Sequence, residues 1–99
     1  MSSRPLLLRK EAAADLVEAV EWYDARRGGL GGDFLLAVRA VLTTIEDSPE
    51  RFPIVRDDVR RAPLRRFPYA ILYVAEPDRT VVIACMHFRR DPRRWQSRR

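Results

Sequence analysis

The sequence predicts an α+β domain in the order β-α-α-β-β-β, with a helical hairpin packed on a mainly antiparallel sheet. Two observations carry that prediction. As far as Asp47, apolar residues recur at the three-and-four spacing of buried helix faces, and Gly28-Gly29 splits them into two segments. After Pro53 the period changes to apolar runs rich in β-branched and aromatic residues, which reads as strand.

Pro5 to Arg9 is a short apolar run and the expected first strand. A helix is expected from Glu11, with Ala13, Leu16, Val17, Val20 and Tyr23 on its buried stripe. Glu11, Asp15, Glu18 and Glu21 fall on its outer side, with acids early, where they complement the helix dipole. Arg26-Arg27-Gly28-Gly29 ends it, cations followed by glycine. The second helix runs from about Gly31 to Asp47 on a stripe of Phe34, Val38, Val41, Leu42 and Ile45. Ser48-Pro49 stops it, because the residue before proline is pushed out of the helical region.

Val59 to Arg65 alternates loosely, and Pro63 argues there for an edge strand or a bulge. Tyr69–Ala75 and Thr80–Phe88 are apolar on both faces, so both should be central strands covered on each side. Glu76-Pro77-Asp78-Arg79 between them has turn chemistry. Ile71, Leu72, Val82, Ile83 and Ala84 are expected to face Leu16, Val20, Val38 and Leu42 across the core. Pro92 to Arg99 reads as a basic tail, frayed or wound into one helical turn.

At 99 residues and 46% hydrophobic, the chain is expected to be a single domain, 1–99, with one modest core. No apolar run approaches the ~20 residues of a membrane span, and Leu6-Leu7-Leu8 is too short for a signal-peptide core. The expected location is the cytoplasm. Cys85 is alone, which excludes a disulfide framework within the chain, and there is no glycine-rich phosphate loop, CxxC or HExxH. No cofactor and no metal are implied.

Charge is divided unevenly. Residues 1–50 balance at −3, whereas residues 51–99 hold thirteen arginines against five acids, a balance of +8. Arginine outnumbers lysine eighteen to one. The guanidinium fork suits phosphate, carboxylate and stacked rings, although an arginine-rich codon bias would give the same excess. The clustering at Arg60-Arg61, Arg65-Arg66 and Arg89-Arg90 points to an anionic partner, either nucleic acid or an acidic protein segment.

His87, the only histidine, stands at the end of the last strand with Arg89 and Arg90 directly after it. On alternation it shares a face with Val81, Ile83 and Cys85, and Arg61 and Arg65 can approach from neighbouring strands. Arg61, Arg65 and His87 could serve phosphodiester cleavage, a histidine moving a proton while guanidinium groups stabilise charge on phosphorus. The same residues could grip a carboxylate-rich partner without chemistry, and no carboxylate is spaced to pair with His87. Trp22 lies off the helix stripe, at the core edge or exposed as an anchor. Trp95 could fold back on the domain or stack on a base or a partner side chain. The candidate partner-binding residues are therefore Arg60, Arg61, Arg65, Arg89, Arg90, Trp22 and Trp95.

Several segments in register resemble the RelE/ParE superfamily of toxins from type II toxin–antitoxin modules, also called plasmid stabilisation proteins. They are Ala14-Asp15-Leu16 with Glu21-Trp22-Tyr23, Gly29-Leu30-Gly31 with Phe34, Ser48-Pro49-Glu50-Arg51-Phe52-Pro53, Val59-Arg60-Arg61 with Arg65-Arg66-Phe67-Pro68-Tyr69, and His87-Phe88-Arg89-Arg90-Asp91-Pro92. The resemblance spans about Glu11 to Trp95. It implies a RelE/ParE-like toxin neutralised by a short acidic antitoxin in a hetero-oligomer. RelE-like members cleave mRNA on the ribosome, and ParE-like members poison DNA gyrase. Arg61, Arg65 and His87 stand at roughly the places of the RelE-like site, yet Lys10 is the sole lysine where some ribosome-dependent members carry a lysine-rich patch. The His87-x-Arg89-x-Asp91 ending is more similar to ParE-like members. The expectation is a ParE-like toxin arresting growth through gyrase, with the endoribonuclease and a non-toxic binding relic as alternatives.

Overall fold

The computed structural model describes residues 5–98. β1 (Leu6–Leu8) leads into α1 (Lys10–Arg26) and α2 (Leu30–Asp47). β2 (Ile54–Arg56), β3 (Val59–Pro63), β4 (Tyr69–Ala75) and β5 (Thr80–His87) follow, then the single turn α3 (Arg93–Gln96). The strands form one sheet in the order β1-β5-β4-β3-β2, in which β1 runs parallel to β5 and the other neighbours are antiparallel. The α+β class and the helical hairpin are as the sequence predicts, and β2 is an additional strand.

The hairpin turns on two glycines for different reasons. Gly29 takes φ 88°, the left-handed region that glycine enters without a Cβ penalty. Gly31 donates its backbone N–H to Asp24 Oδ1 at 2.7 Å, and a Cβ there would stand 2.8 Å from the Asp24 carboxyl.

Ala12, Ala19 and Tyr23 of α1 and Phe34, Val38, Val41 and Ile45 of α2 are buried. Leu16, Val20 and Leu42 pack on them less deeply. Val17 is not on the stripe; it is 57% exposed, one residue and thus about 100° beyond Leu16.

Two sequence expectations about the sheet are corrected. Pro63 does not mark an edge, because β2 lies outside β3. It is instead the last residue of β3, where a missing N–H costs least. The second correction comes from a bulge. Leu72 pairs with Ala84 while Tyr73 pairs with Val82, which leaves Ile83 as the extra residue. Val82 and Cys85 therefore join the helix-side core with Ile71 and Tyr73. Val81, Ile83, Ala84 and Met86 join Leu72 and Val74 on the other face. All five expected strand residues are buried, but Leu72, Ile83 and Ala84 turn away from the helices.

That second face has no long helix against it. Trp95 on α3 is 8% exposed and packs into its apolar cluster, so it folds back on the domain. The tail is pinned further along. Arg98 donates to both oxygens of Asp15, at 2.7 and 3.2 Å, and to the Ile83 carbonyl at 3.1 Å. Asp15 Oδ2 also accepts from the Cys85 N–H at 3.0 Å. Because β1 pairs only with Thr80–Val82, these side-chain bonds meet backbone groups that β5 would otherwise leave open at its edge. Asp15 was expected on the outer side of α1; it is the buried end of this latch, 11% exposed at its side chain.

Candidate functional site

The residues singled out from sequence separate into three groups. Arg60 is committed internally. Its Nη1 donates to the Glu50 and Phe52 carbonyls at 3.0 and 2.7 Å, beside the Tyr73 hydroxyl, which donates to the Pro49 carbonyl at 2.7 Å. Both tie down the connection from α2 to β2, which gives Arg60 a structural role. Arg65 lines a cleft of about 370 Å³ with Arg51, Phe52 and Pro63, whereas His87 lines others. The β3–β4 connection passes through Arg66, which takes φ 71°. Of the trio, Arg61 and His87 share a cleft and Arg65 lines another. Trp95, buried in the core of the second face, is also withdrawn from stacking on a partner.

The remaining residues converge at the end of β5, where His87 and Arg90 stand between two clefts of about 200 Å³ each. The first opens on the free sheet face. Val55, Leu72, Met86 and Trp95 give it an apolar floor, and Arg61 and Phe88 flank it. The Arg61 guanidinium lies 4.7 Å from the Phe88 ring centroid, a cation–π contact at an exposed site. Arg89 is exposed in the turn beyond.

The second cleft lies between α1 and the sheet and is lined by Glu18, Trp22, Tyr69, His87 and Arg90. Trp22 is 49% exposed, with the Arg26 guanidinium 3.4 Å from its ring centroid. Tyr69 and His87 meet edge to face at 5.1 Å. Arg90 Nη2 donates to Glu18 Oε1 at 2.7 Å. Sequence spacing offered no carboxylate near His87; Glu18 is 72 positions from Arg90 and arrives only because α1 packs along β5. Its phase on α1, three residues after Asp15 and four before Trp22, was the one available signal.

His87 Nδ1 accepts the Arg89 backbone N–H at 3.0 Å, so in the neutral ring the proton sits on Nε2. In that tautomer Nε2–H is the group the imidazole can offer a ligand. Burial raises the Tyr69 pKa above its ordinary value, an effect assisted by Tyr23 and Cys85 and opposed by Arg90, so the phenol stays neutral at pH 7. The cleft thus combines hydrogen-bond donors and aromatic walls with one carboxylate, Glu18, which is held by Arg90.

Cys85, on the floor between α1 and β5, is a buried hydrophobe. Burial above all, then the Asp15 carboxylate, pushes its thiol up to about 12. Native protein at pH 8 is expected to react slowly with a thiol reagent and rapidly once unfolded in urea, with the released chromophore as readout. The folded-state value lies above the unfolded one, near 8.5. The thiol's stabilising contribution is thus complete below about pH 8.5 and lost as pH rises toward 12. The urea midpoint should fall over that range, less steeply in Cys85→Ala. Tyr23, Tyr69 and Tyr73, all raised by burial, add to the fall above about pH 10.

Among the described residues no His/Cys/Asp/Glu cluster has the makings of a metal site, and no helix is long and apolar enough to cross a membrane.

A short strand, a helical hairpin and a twisted antiparallel meander with an arginine-rimmed end define a ParE-like toxin fold. Residues 6–92 match the family described as the ParE toxin of type II toxin–antitoxin systems, parDE, and the chain belongs to that family. A chain from the chromosomal ParDE toxin–antitoxin system of P. aeruginosa has the same fold, with a TM-score of 0.77 at 16% identity over 86% of this chain and 96% of that one. No curated protein matches the sequence. The sequence-based choice between the two branches of the superfamily thus falls on the ParE side.

Proposed function

We propose that the chain, acting as one domain over residues 1–99 in the cytoplasm, arrests growth through DNA gyrase and is neutralised by a cognate acidic antitoxin in a hetero-oligomer. The observation that carries this reading is the match to the ParE toxin family over residues 6–92. The site supports it in two ways. Arg65 lines a different cleft from Arg61 and His87, and Nδ1 of His87 accepts the Arg89 N–H, an arrangement that does not favour the Arg61, Arg65 and His87 trio as a nuclease site. The exposed ends of both clefts instead carry arginine beside aromatic rings, the composition of a protein-binding surface. The P. aeruginosa neighbour belongs to a two-component ParDE system, which accords with an antitoxin partner here.

Expression of the chain without its partner is expected to arrest growth with rising DNA-damage markers, and His87→Gln should leave that arrest largely intact. A nuclease that lost its acid or base would be slowed about 10²–10⁴-fold. Ribosome-dependent cleavage of mRNA by the purified wild-type protein would refute the gyrase reading. A chain that purifies readily alone, without toxicity and without capturing the product of the adjoining reading frame, would refute the toxin–antitoxin reading as a whole.

A further inference from the structure

The cleft between α1 and the end of β5 already holds a carboxylate, and it is the chain's own. Glu18 Oε1 sits 2.7 Å from Arg90 Nη2, yet the two side chains are 65% and 39% exposed. An ion pair that wet is worth little, so exchanging Glu18 for another carboxylate costs little. Around it stand donors with capacity to spare. One nitrogen of the Arg90 guanidinium bonds Glu18, His87 presents Nε2–H, and the Tyr69 hydroxyl stays protonated. The exposed Trp22 ring supplies an apolar wall that would shield an incoming charge from water.

We propose that this cleft receives an aspartate or glutamate of the partner's acidic segment, and that Glu18 is a placeholder which the incoming carboxylate displaces from Arg90. The inference rests on the toxin–antitoxin reading and names the chemistry of one anchor within it. A carboxylate is favoured over a phosphate because the geometry already accommodates a carboxylate at Arg90. The +8 half of the sequence, which supplies His87 and Arg90 to the cleft, also favours an anionic ligand. In the bound state the ligand is covered by Trp22 and Tyr69, so its bonds to Arg90 and His87 act at lower dielectric than the exposed Glu18 pair does.

The test is a binding cycle with the purified product of the adjoining reading frame, read by calorimetry at fixed salt. Arg90→Ala is expected to weaken binding about 10–100-fold, the scale of a charge-assisted hydrogen bond. Glu18→Gln is expected to tighten it by about threefold, since the competitor is gone. In the Arg90→Ala background, Glu18→Gln should have no effect. Arg79→Ala, which removes the exposed ion-pair partner of Glu76 at the far end of β5, controls for net charge and should change binding less than about twofold. If wild-type protein fails to bind the product, the toxin–antitoxin reading falls and this anchor with it. If wild type binds but Glu18→Gln weakens binding, or its effect persists without Arg90, the placeholder is wrong while the wider reading stands. Binding of a single-stranded oligoribonucleotide that Arg90→Ala abolishes, with partner affinity unchanged, would assign the cleft to nucleic acid instead.

Discussion

Phe34→Ala is expected to cost about 3–5 kcal/mol of folding stability, close to the whole margin of a small domain. Phe34 is 0% exposed and lies where both helices meet the sheet. Its ring stacks on Tyr23 at 5.4 Å and meets Phe67 and Tyr69 edge to face at 5.4 and 5.0 Å. Truncation would open a cavity among three rings that are themselves held by different elements, so collapse around the void is restricted. Phe34→Leu keeps most of the apolar volume and is expected to lose considerably less. Urea denaturation followed by tryptophan fluorescence measures both, and a change under about 1 kcal/mol for Phe34→Ala would mean that the aromatic cluster is not the centre of the core.

Phe34 also shows what could be read in advance. Its place on the α2 stripe with Val38, Val41 and Ile45 follows from period alone, as does Tyr23 on α1. The glycine turn was equally legible, since Gly29 supplies a backbone conformation that other residues adopt only under strain. The facing of β5 was not. Strict alternation assigns Val81, Ile83, Cys85 and His87 to one side, but the bulge at Ile83 turns the later residues over. Nothing in a run apolar on both faces marks where such an extra residue sits. β2 escaped notice for a related reason: three exposed residues, Ile54–Arg56, become a strand only because β3 is there to pair with them.

The site was half legible. His87 and Arg90 do stand where two clefts meet, because the end of an apolar strand is where side chains reach solvent. Arg60, Arg65 and Trp95 looked equivalent to Arg61 and Arg89 as members of basic clusters, yet the fold uses them differently. Arg60 satisfies two loop carbonyls, Arg65 is carried to another cleft, and Trp95 fills the second face of the sheet. Charge clustering reports where cations are dense and says nothing of which ones the backbone consumes. Glu18 and Asp15 escaped for the converse reason. Both lie on the polar side of α1, and the partners that give them roles are 72 and 83 positions away.

Asp15→Ala is expected to destabilise the fold by about 3–5 kcal/mol, because it strips one partner from a largely buried charge pair. The Arg98 guanidinium would lose two bonds and remain beside the Ile83 carbonyl, and the Cys85 N–H at the bulge would lose its acceptor. Arg98→Met should cost less, since it removes the other charge while keeping an apolar stem over the β5 edge. It still leaves Asp15 its bond from Cys85. The double variant is expected to be more stable than Asp15→Ala alone, because no unpaired guanidinium is then held against the sheet. Thermal and urea midpoints of the two single variants and the double variant close the cycle. Additive losses would show that Asp15 and Arg98 stabilise the chain independently, the tail resting on Trp95 and on the bond from Arg9 Nη1 to the Arg98 carbonyl. A positive coupling would make the latch the reason that a bulged strand, uncovered by β1 beyond Val82, keeps its edge closed.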